Sequence, residues 1–398
     1  MKTKSESNIT RRDFIEAGAL AGSAPFVIGL GGNAFAGQAS NEIRCAIIGT
    51  GGRGRDAHIK SILNIPGVRI TAICDISQEA LEKALAMFPG EKPKTYTYYR
   101  EMLEKENLDA ATVATPPQCH RSQMIEVLQK NLHLYAEKPL VLTVNDMNEL
   151  EQVAKKSKGI MQVGQQGRYS DTNRKMIEMI RAGEIGRIGY IHAQRFSKWG
   201  GPGAEEQKMR WLWSIEESGD QLVEQSIHNI DQINWILDSH PIKATGLGGQ
   251  NVVYEPVGRD TSDHFAVIYE YPGKVHVTFT MIKYGAYDFD GSFTRVYAEK
   301  GACEWGRGQF IKRGKDANPY GFEAGRGDTT QQALNEFFRC IREGKKPYAD
   351  VEIGKTALLT TMLGRKAFFE ERVVTWEQLL KEDASIKRIS DDKFGPIA

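Results

Sequence analysis

Apolar residues gather in short runs along the first third of the chain. IRCAII (residues 43–48) is a β-rich run that stops at Gly49-Thr50-Gly51-Gly52-Arg53-Gly54. A helix is predicted from Arg55 to about Asn64, then a second strand, VRITAICD (68–75), ending on Asp75. SQEALEKALAMF (77–88) has the spacing of a helix, and a short strand is expected around Lys94 to Tyr96. DAATVAT (109–115) is the fourth strand and is closed by Pro116-Pro117. Helix QMIEVLQKN leads to a fifth strand, HLYAEK (133–138), which ends at Lys138-Pro139. Strands alternating with helices at this spacing predict a parallel sheet built of βαβ units.

After about residue 162 the period changes. RIGYIHAQRFSKW, HFAVIYEY, KVHVTFTMIKY and FTRVYAE are longer β-rich runs with partial period-2 alternation, and Pro272-Gly273 between two of them marks a tight hairpin. The last ~70 residues return to helix, with QQALNEFFRCIREG and KTALLTTMLGRKAFFEE. The predicted class is therefore α/β: a doubly wound parallel sheet over residues 42–162, then an α+β domain with an antiparallel sheet over 163–381. The closing helices are expected to pack back toward the first domain.

Composition narrows the function classes. A chain of 398 residues suggests two or three domains. With 40% hydrophobic and 26% charged residues, a largely disordered chain is excluded. Lys+Arg number 52 and Asp+Glu 51, which leaves no footprint for nucleic acid or an anionic membrane surface. The five cysteines form no C-x-x-C pair, so a disulfide framework and a structural zinc site are not expected, and no metal site is assigned. Residues 10–16 read TRRDFIE, residues 17–41 carry no charge, and Ala34-Phe35-Ala36 offers an A-x-A cleavage site. Residues 1–36 thus resemble a twin-arginine export signal, with a periplasmic mature chain and no membrane anchor; the alternatives are a poorly ordered leader or a weak anchor.

Candidate chemistry lies where the first-domain strands end. Gly49-x-Gly51-x-x-Gly54, between a strand and a helix, has the form of a dinucleotide loop. Gly49 permits the turn, Gly51 lets backbone approach a pyrophosphate, and Gly54 lets helix and strand pack closely. Gly52 and Arg53 complete the loop. Asp75 ends the next strand, where a carboxylate accepts from both ribose hydroxyls and repels a 2′-phosphate; NAD is favoured over NADP, although Arg53 and Arg55 weaken that preference. A glycine-rich turn without any nucleotide is the alternative. Thr115, Pro116 and His120 follow the fourth strand and are candidate cofactor contacts, although His120 also fits a histidine that only starts a helix. Glu137-Lys138-Pro139 ends the fifth strand; Lys138 either points into the same crevice and exchanges protons with a sugar hydroxyl, or is a surface lysine. Glu224, His228 and Asp231 fall on one face of a predicted helix, either bordering a cleft, or part of a metal site whose further His or carboxylate ligands the sequence does not identify, or solvated. In KWGGPGAEEQKMRWLW (198–213), Trp199, Trp211 and Trp213 either stack on sugar rings or belong to the core.

Taken together, GTGGRG, the ATPP turn, YAEKPL and the acid-x-x-x-H-x-x-D helix resemble the Gfo/Idh/MocA oxidoreductases over nearly the whole chain from about Glu42 to Lys381. That resemblance implies an N-terminal Rossmann domain, a C-terminal domain with an open, mostly antiparallel sheet, and oligomerisation (dimer or tetramer) through that sheet. It implies bound NAD or NADP and a carbohydrate substrate. By position, Lys138 is similar to the family's active-site lysine and His228 to its catalytic histidine. Glu224 stands where many members have Asp, and Asp231 matches the acidic residue after the histidine. Arg168, Tyr169, Trp199, His228 and Asp231 are the candidate substrate contacts, with Tyr169 and Glu224 as candidates for a second base. Three functions follow as expectations: an NAD-dependent sugar, cyclitol or glycoside oxidoreductase; a glycosidase that recycles its bound NAD internally; and a non-catalytic sugar-binding protein.

Overall fold

The computed structural model describes residues 42–198, 209–253, 258–286, 291–314, 318–325 and 327–381. The predicted export signal and Trp199 lie outside these described residues. Six strands, β1 (Ile43–Ile48), β2 (Val68–Cys74), β3 (Lys94–Tyr96), β4 (Ala110–Val113), β5 (His133–Ala136) and β6 (Met161–Val163), form one parallel sheet. Their order is β3-β2-β1-β4-β5-β6. The chain reverses direction across the sheet between β1 and β4, and in such sheets a crevice opens beyond the carboxyl ends of those strands. Cys45, Ala46 and Ile47 on β1 are fully buried, as are all four residues of β4. A strand covered on both faces needs a continuous apolar run rather than alternation, which is why these segments read IRCAII and AATV.

Each face of this sheet has its own helical layer. On one side Ile59, Ile62, Leu81 and Ala84 pack together with Phe337 and Phe338 of the helix Thr329–Glu343. The helix Thr329–Glu343 therefore packs on this face of the first sheet. On the other side Met102, Met124 and Met147 belong to the helices Tyr99–Lys105, His120–Gln129 and Val144–Lys156.

Among the described residues a second sheet has nine strands. They are β7 (Ile188–Lys198), β8 (Lys243–Gly249), β9 (His264–Tyr271), β10 (Val275–Gly285), β11 (Gly291–Ala298), β12 (Gly301–Glu304), β13 (Gln309–Lys312), β14 (Pro319–Gly321) and β15 (Val374–Thr375). Their order is β14-β13-β12-β11-β7-β10-β9-β8-β15, with β7 and β10 parallel and the other described pairs antiparallel. The predicted hairpin joins β9 to β10, with Gly273 at φ +74° in its turn. Val277, Phe279 and Met281 on β10 are buried against the helices Ile227–Leu237 and Val351–Phe369. Tyr190, Leu247, Ile268, Tyr297 and Ile311 stand exposed on the opposite face. One covered and one open face is the arrangement that period-2 alternation encodes.

One expectation about local structure fails. Glu224, His228 and Asp231 do not share one continuous helix: Asp220–Glu224 ends, Gln225 and Ser226 intervene, and Ile227–Leu237 begins. The backbone N–H groups of Gln225 and Ser226 both donate to the Gln221 carbonyl, at 3.0 and 3.1 Å; the second is an i→i−5 bond, which widens the turn and breaks the helical repeat.

Candidate active site

Beyond the ends of β1 and β4 lies a cleft of about 730 Å³. Gly49 has φ +90°, and a Cβ there would sit 2.8 Å from the Ala114 backbone, so only glycine fits this turn. A Cβ on Gly54 would fall 1.8 Å from the Gly49 carbonyl oxygen, which explains the third glycine as the point where helix meets strand. Gly51 behaves differently: a Cβ there meets nothing within 4 Å, and the residue lines the cleft. The open space stands over a backbone that starts a helix, whose first N–H groups have no intrahelical acceptors. That space fits a pyrophosphate.

Asp75 lines the same cleft and its carboxylate is anchored from behind. Oδ2 accepts from Thr50 N (2.7 Å) and Thr50 Oγ1 (3.2 Å), and Oδ1 accepts from Ser77 N (2.9 Å). The two arginines expected to compete for its preference are committed elsewhere. Arg53 Nε donates to Glu137 Oε1 at 2.7 Å, and Arg55 donates twice to Asp56 at 2.8 Å. Gly52, Arg53, Thr115, Pro116 and Glu137 also line the cleft, and Thr115 Oγ1 donates to Gln123 Oε1 at 2.6 Å.

Glu137 is the electrostatic hinge between the glycine loop and the lysine. Its buried Oε1 accepts from Arg53 and from Gln166 Nε2 (3.2 Å) and lies 2.9 Å from His58 Nε2. Burial alone would raise this carboxyl, but the Arg53 charge and the His58 hydrogen bond outweigh it and hold Glu137 well below the usual carboxylate range. It is therefore an anion at neutral pH.

At the inner end of the cleft stand Lys138, Glu224 and His228. Lys138 Nζ donates to the Glu224 carbonyl oxygen (2.9 Å) and to Glu224 Oε1 (2.6 Å). The helix break makes the first of these bonds available, because Glu224 closes a short helix whose last carbonyls lack intrahelical donors. Glu224 Oε2 is buried with no partner. His228 Nδ1 donates to Gln165 Oε1 at 3.0 Å, which leaves Nε2 as the acceptor. Burial pushes the His228 imidazole down to about 3, and the Lys138 charge pushes the same way. This histidine is thus neutral at physiological pH, as a proton acceptor must be.

Other sequence candidates fall outside the cleft. His120 is buried beneath it, with Nδ1 2.7 Å from the Pro139 carbonyl and Nε2 2.8 Å from the Thr115 carbonyl. It ties two cleft loops together rather than touching a ligand, which corrects its placement as a cofactor contact. Arg168 and Asp231 form a buried pair, with donor–acceptor distances of 2.8 to 3.1 Å, and neither lines the cleft. Tyr169 is buried with its hydroxyl accepting from Ala349 N at 3.1 Å, so it stands apart from the other candidate bases. Of the tryptophans, Trp211 lines the cleft and Trp213 is core, 4.9 Å from the Arg259 guanidinium. The sequence reading missed Gln165, Gln166 and His58. The two glutamines follow β6, a three-residue strand too short to recognise, and His58 carries no motif. Among the described residues no group of three His, Cys, Asp or Glu side chains is placed to hold a metal ion.

Comparison with known proteins places this geometry. Residues 43–165 match the oxidoreductase family with an NAD-binding Rossmann fold (GFO_IDH_MocA), and residues 173–304 match the GFO/IDH/MocA C-terminal domain. A glycosyl hydrolase family 109 protein from Shewanella woodyi is 28% identical over 168 residues, 39% of this chain and 36% of that protein. The chain thus spans well under two thirds of the length of the curated relatives it matches, 36% and 47% for two of them. Myo-inositol 2-dehydrogenase from Lactobacillus plantarum superimposes with TM-score 0.71 at 23% identity, covering 84% of this chain and 99% of that one. Scyllo-inositol dehydrogenase from Lactobacillus casei, solved with bound NAD(H) and scyllo-inositol, gives 0.69 at 18% identity over 84% and 99% of the two chains. At such identities these structures share the fold.

Proposed function

This chain belongs to the Gfo/Idh/MocA oxidoreductase family, and from that premise we propose that it exchanges hydride between NAD and a secondary alcohol carbon of a sugar, cyclitol or glycoside. The observation that carries the reading is the meeting of Lys138, a neutral His228 and Glu224 at the inner end of a cleft that begins on the glycine loop. The backbone at Gly51 and Gly52 would hold the pyrophosphate, Asp75 a ribose, and Thr115, Pro116 and Glu137 the nicotinamide half. Bound NAD supplies the acceptor for the substrate's hydride.

The chain's own residues do the rest. His228 Nε2 takes the hydroxyl proton as the alcohol is oxidised. A lysine ammonium has three N–H donors; two of those on Lys138 are spent on Glu224, and the third is left for the substrate oxygen, where it stabilises developing negative charge. Gln165 fixes the imidazole's tautomer and orientation. The unpartnered Glu224 Oε2 accepts from a neighbouring substrate hydroxyl.

The family 109 relatives favour a second reading, in which oxidation is transient and the glycosidic bond is cleaved by elimination and water addition with no net redox change. Incubating NAD-loaded enzyme with aryl glycosides and no electron acceptor separates the two. Many turnovers of aglycone release support the glycosidase; one equivalent of oxidised sugar per enzyme, rising only with an added acceptor, supports the oxidoreductase. Arg11-Arg12 and the uncharged stretch after them support export to the periplasm, which fractionation of cells expressing the full chain tests against an Arg11→Lys, Arg12→Lys variant. Exposed Tyr190, Leu247, Ile268, Tyr297 and Ile311 on the open face of the second sheet support a homo-oligomer through that face, tested by the mass of the purified protein in solution.

A further inference from the structure

A second polar pair joins the two domains along the cleft besides Lys138 and Glu224. At the turn after β4, Gln118 Nε2 donates to Glu217 Oε2 at 3.0 Å. Both residues line the cleft, and the chemistry at Lys138 uses neither. The fold sets this pair apart from the first. Gln118 follows β4 whereas Lys138 follows β5. On the other wall Gly219, at φ +81°, turns the chain between the short helix Ile215–Ser218, which carries Glu217, and the helix Asp220–Glu224.

Trp211 stands on the same wall as Glu217, in the turn Arg210–Trp213 just before that helix. Leu212 and Trp213 are buried, whereas Trp211 is half-buried and lines the cleft. Gln221, on the helix that ends at Glu224, donates from Nε2 to the Leu212 carbonyl at 3.2 Å, which ties the turn down beside the indole. The NAD contacts assigned above, from Gly51 to Glu137, all come from the first domain, so Trp211 and Glu217 lie on the substrate's side. An aromatic face beside a few convergent polar groups is how a pocket holds a ring that is apolar on its faces and polar at its edge. The bond to Glu217 orients the Gln118 amide: a carboxylate only accepts, so Nε2 faces it and the amide keeps a second N–H to donate. A carboxylate also has lone pairs for more than one donor. A hydroxyl serves both partners, donating to the carboxylate and accepting from the amide.

We propose that Trp211, Gln118 and Glu217 form an outer subsite for a second pyranose ring, so that the substrate is a disaccharide or longer glycoside rather than a free monosaccharide or cyclitol. One ring reacts at Lys138 and His228, and the next stacks on Trp211 with its hydroxyls on Gln118 and Glu217. This rests on the reading of the cleft as an NAD-dependent carbohydrate site.

The test is calorimetric binding to NAD-loaded protein. Maltose, cellobiose, lactose and melibiose are each set against the methyl and the phenyl glycoside of their non-reducing sugar. Stacking together with the added hydrogen bonds predicts that at least one disaccharide binds about 10-fold or more tighter than its methyl glycoside, and tighter than its phenyl glycoside as well. Trp211→Ala should collapse the first ratio and Trp211→Phe keep most of it, while Gln118→Leu should remove the margin over the phenyl glycoside. NAD affinity in the same preparations checks folding, and the wild-type comparison needs no variant. Methyl glycosides that bind as tightly as every disaccharide overturn the proposal, as do phenyl glycosides that bind tighter than all of them, a ratio unchanged in Trp211→Ala, and no sugar binding at all. Reduction of bound NAD by any sugar in the turnover assay would leave the oxidoreductase reading standing in each of those cases.

Discussion

Protonating His228 should be far harder than protonating an ordinary histidine. The imidazole is enclosed at the inner end of the cleft and faces the Lys138 charge, which together push it down to about 3 from a usual value near 6.5. At pH 5 an ordinary histidine is only ~3% neutral, whereas one shifted this far is ~99% neutral, a difference of roughly 30-fold in available base. The assay is kcat/KM against pH for NAD-loaded enzyme with a turned-over sugar. The profile should stay flat from pH 7 to pH 5, with no step near 6.5 and an acid limb only below about pH 4. His228→Ala should lower kcat by ~10²–10⁴-fold while NAD stays bound. Stability carries the same sign. The folded value lies below the unfolded one, so protons favour the unfolded chain. This contribution is complete above about pH 6.5 and is lost as pH falls toward 3. A step near pH 6.5 that disappears in His228→Ala would show a solvent-like imidazole and refute the reasoning. Loss of only a few-fold in kcat would remove His228 as the base.

Asp75→Ala should weaken NAD by about 10-fold or more through lost charge-assisted hydrogen bonds and move the NAD:NADP affinity ratio toward NADP; an unchanged ratio removes Asp75 as the ribose ligand. Gly51→Val, whose Cβ meets nothing within 4 Å, should leave the apo melting temperature nearly unchanged and block NAD binding in titration. Gly54→Ala should do the reverse and destabilise the fold by about 1–3 kcal/mol, because its Cβ would fall 1.8 Å from the Gly49 carbonyl oxygen. Glu137 sits below the unfolded carboxylate value, so it stabilises above about pH 4.5 and that stability is lost as pH falls below it; Glu137→Gln should flatten this acid limb of the melting curve.

Much of this site was legible because its residues sit at strand ends that the sequence announces. A continuous apolar run followed by glycine, proline or Asp marks where a buried parallel strand stops, and so Gly49, Asp75, Thr115 and Lys138 could be placed on one crevice. The glycines were legible for separate reasons that the structure divides: Gly49 and Gly54 are forced by contact, Gly51 by open space. Helical spacing misled where a turn intervened. An i, i+4, i+7 pattern cannot show the break at Gln225 and Ser226 between Glu224 and His228, nor that Asp231, three residues beyond His228 in the same helix, joins a buried pair with Arg168 while Glu224 and His228 line the cleft. His120 looked like a ligand because it follows the proline turn, and only the fold shows both ring nitrogens turned to carbonyls below it. Gln165 carries no local signal and matters through a partner far along the chain, His228.

The most direct measurement follows the transferred atom. NAD-loaded enzyme is mixed with sugars and glycosides deuterated at their ring carbinol carbons, and the nicotinamide is then extracted and weighed by mass spectrometry. The account predicts deuterium on the cofactor within a turnover, and its loss in His228→Ala under conditions where NAD remains bound. Cofactor that stays unlabelled in the wild type across neutral and acidic carbohydrates alike would contradict it.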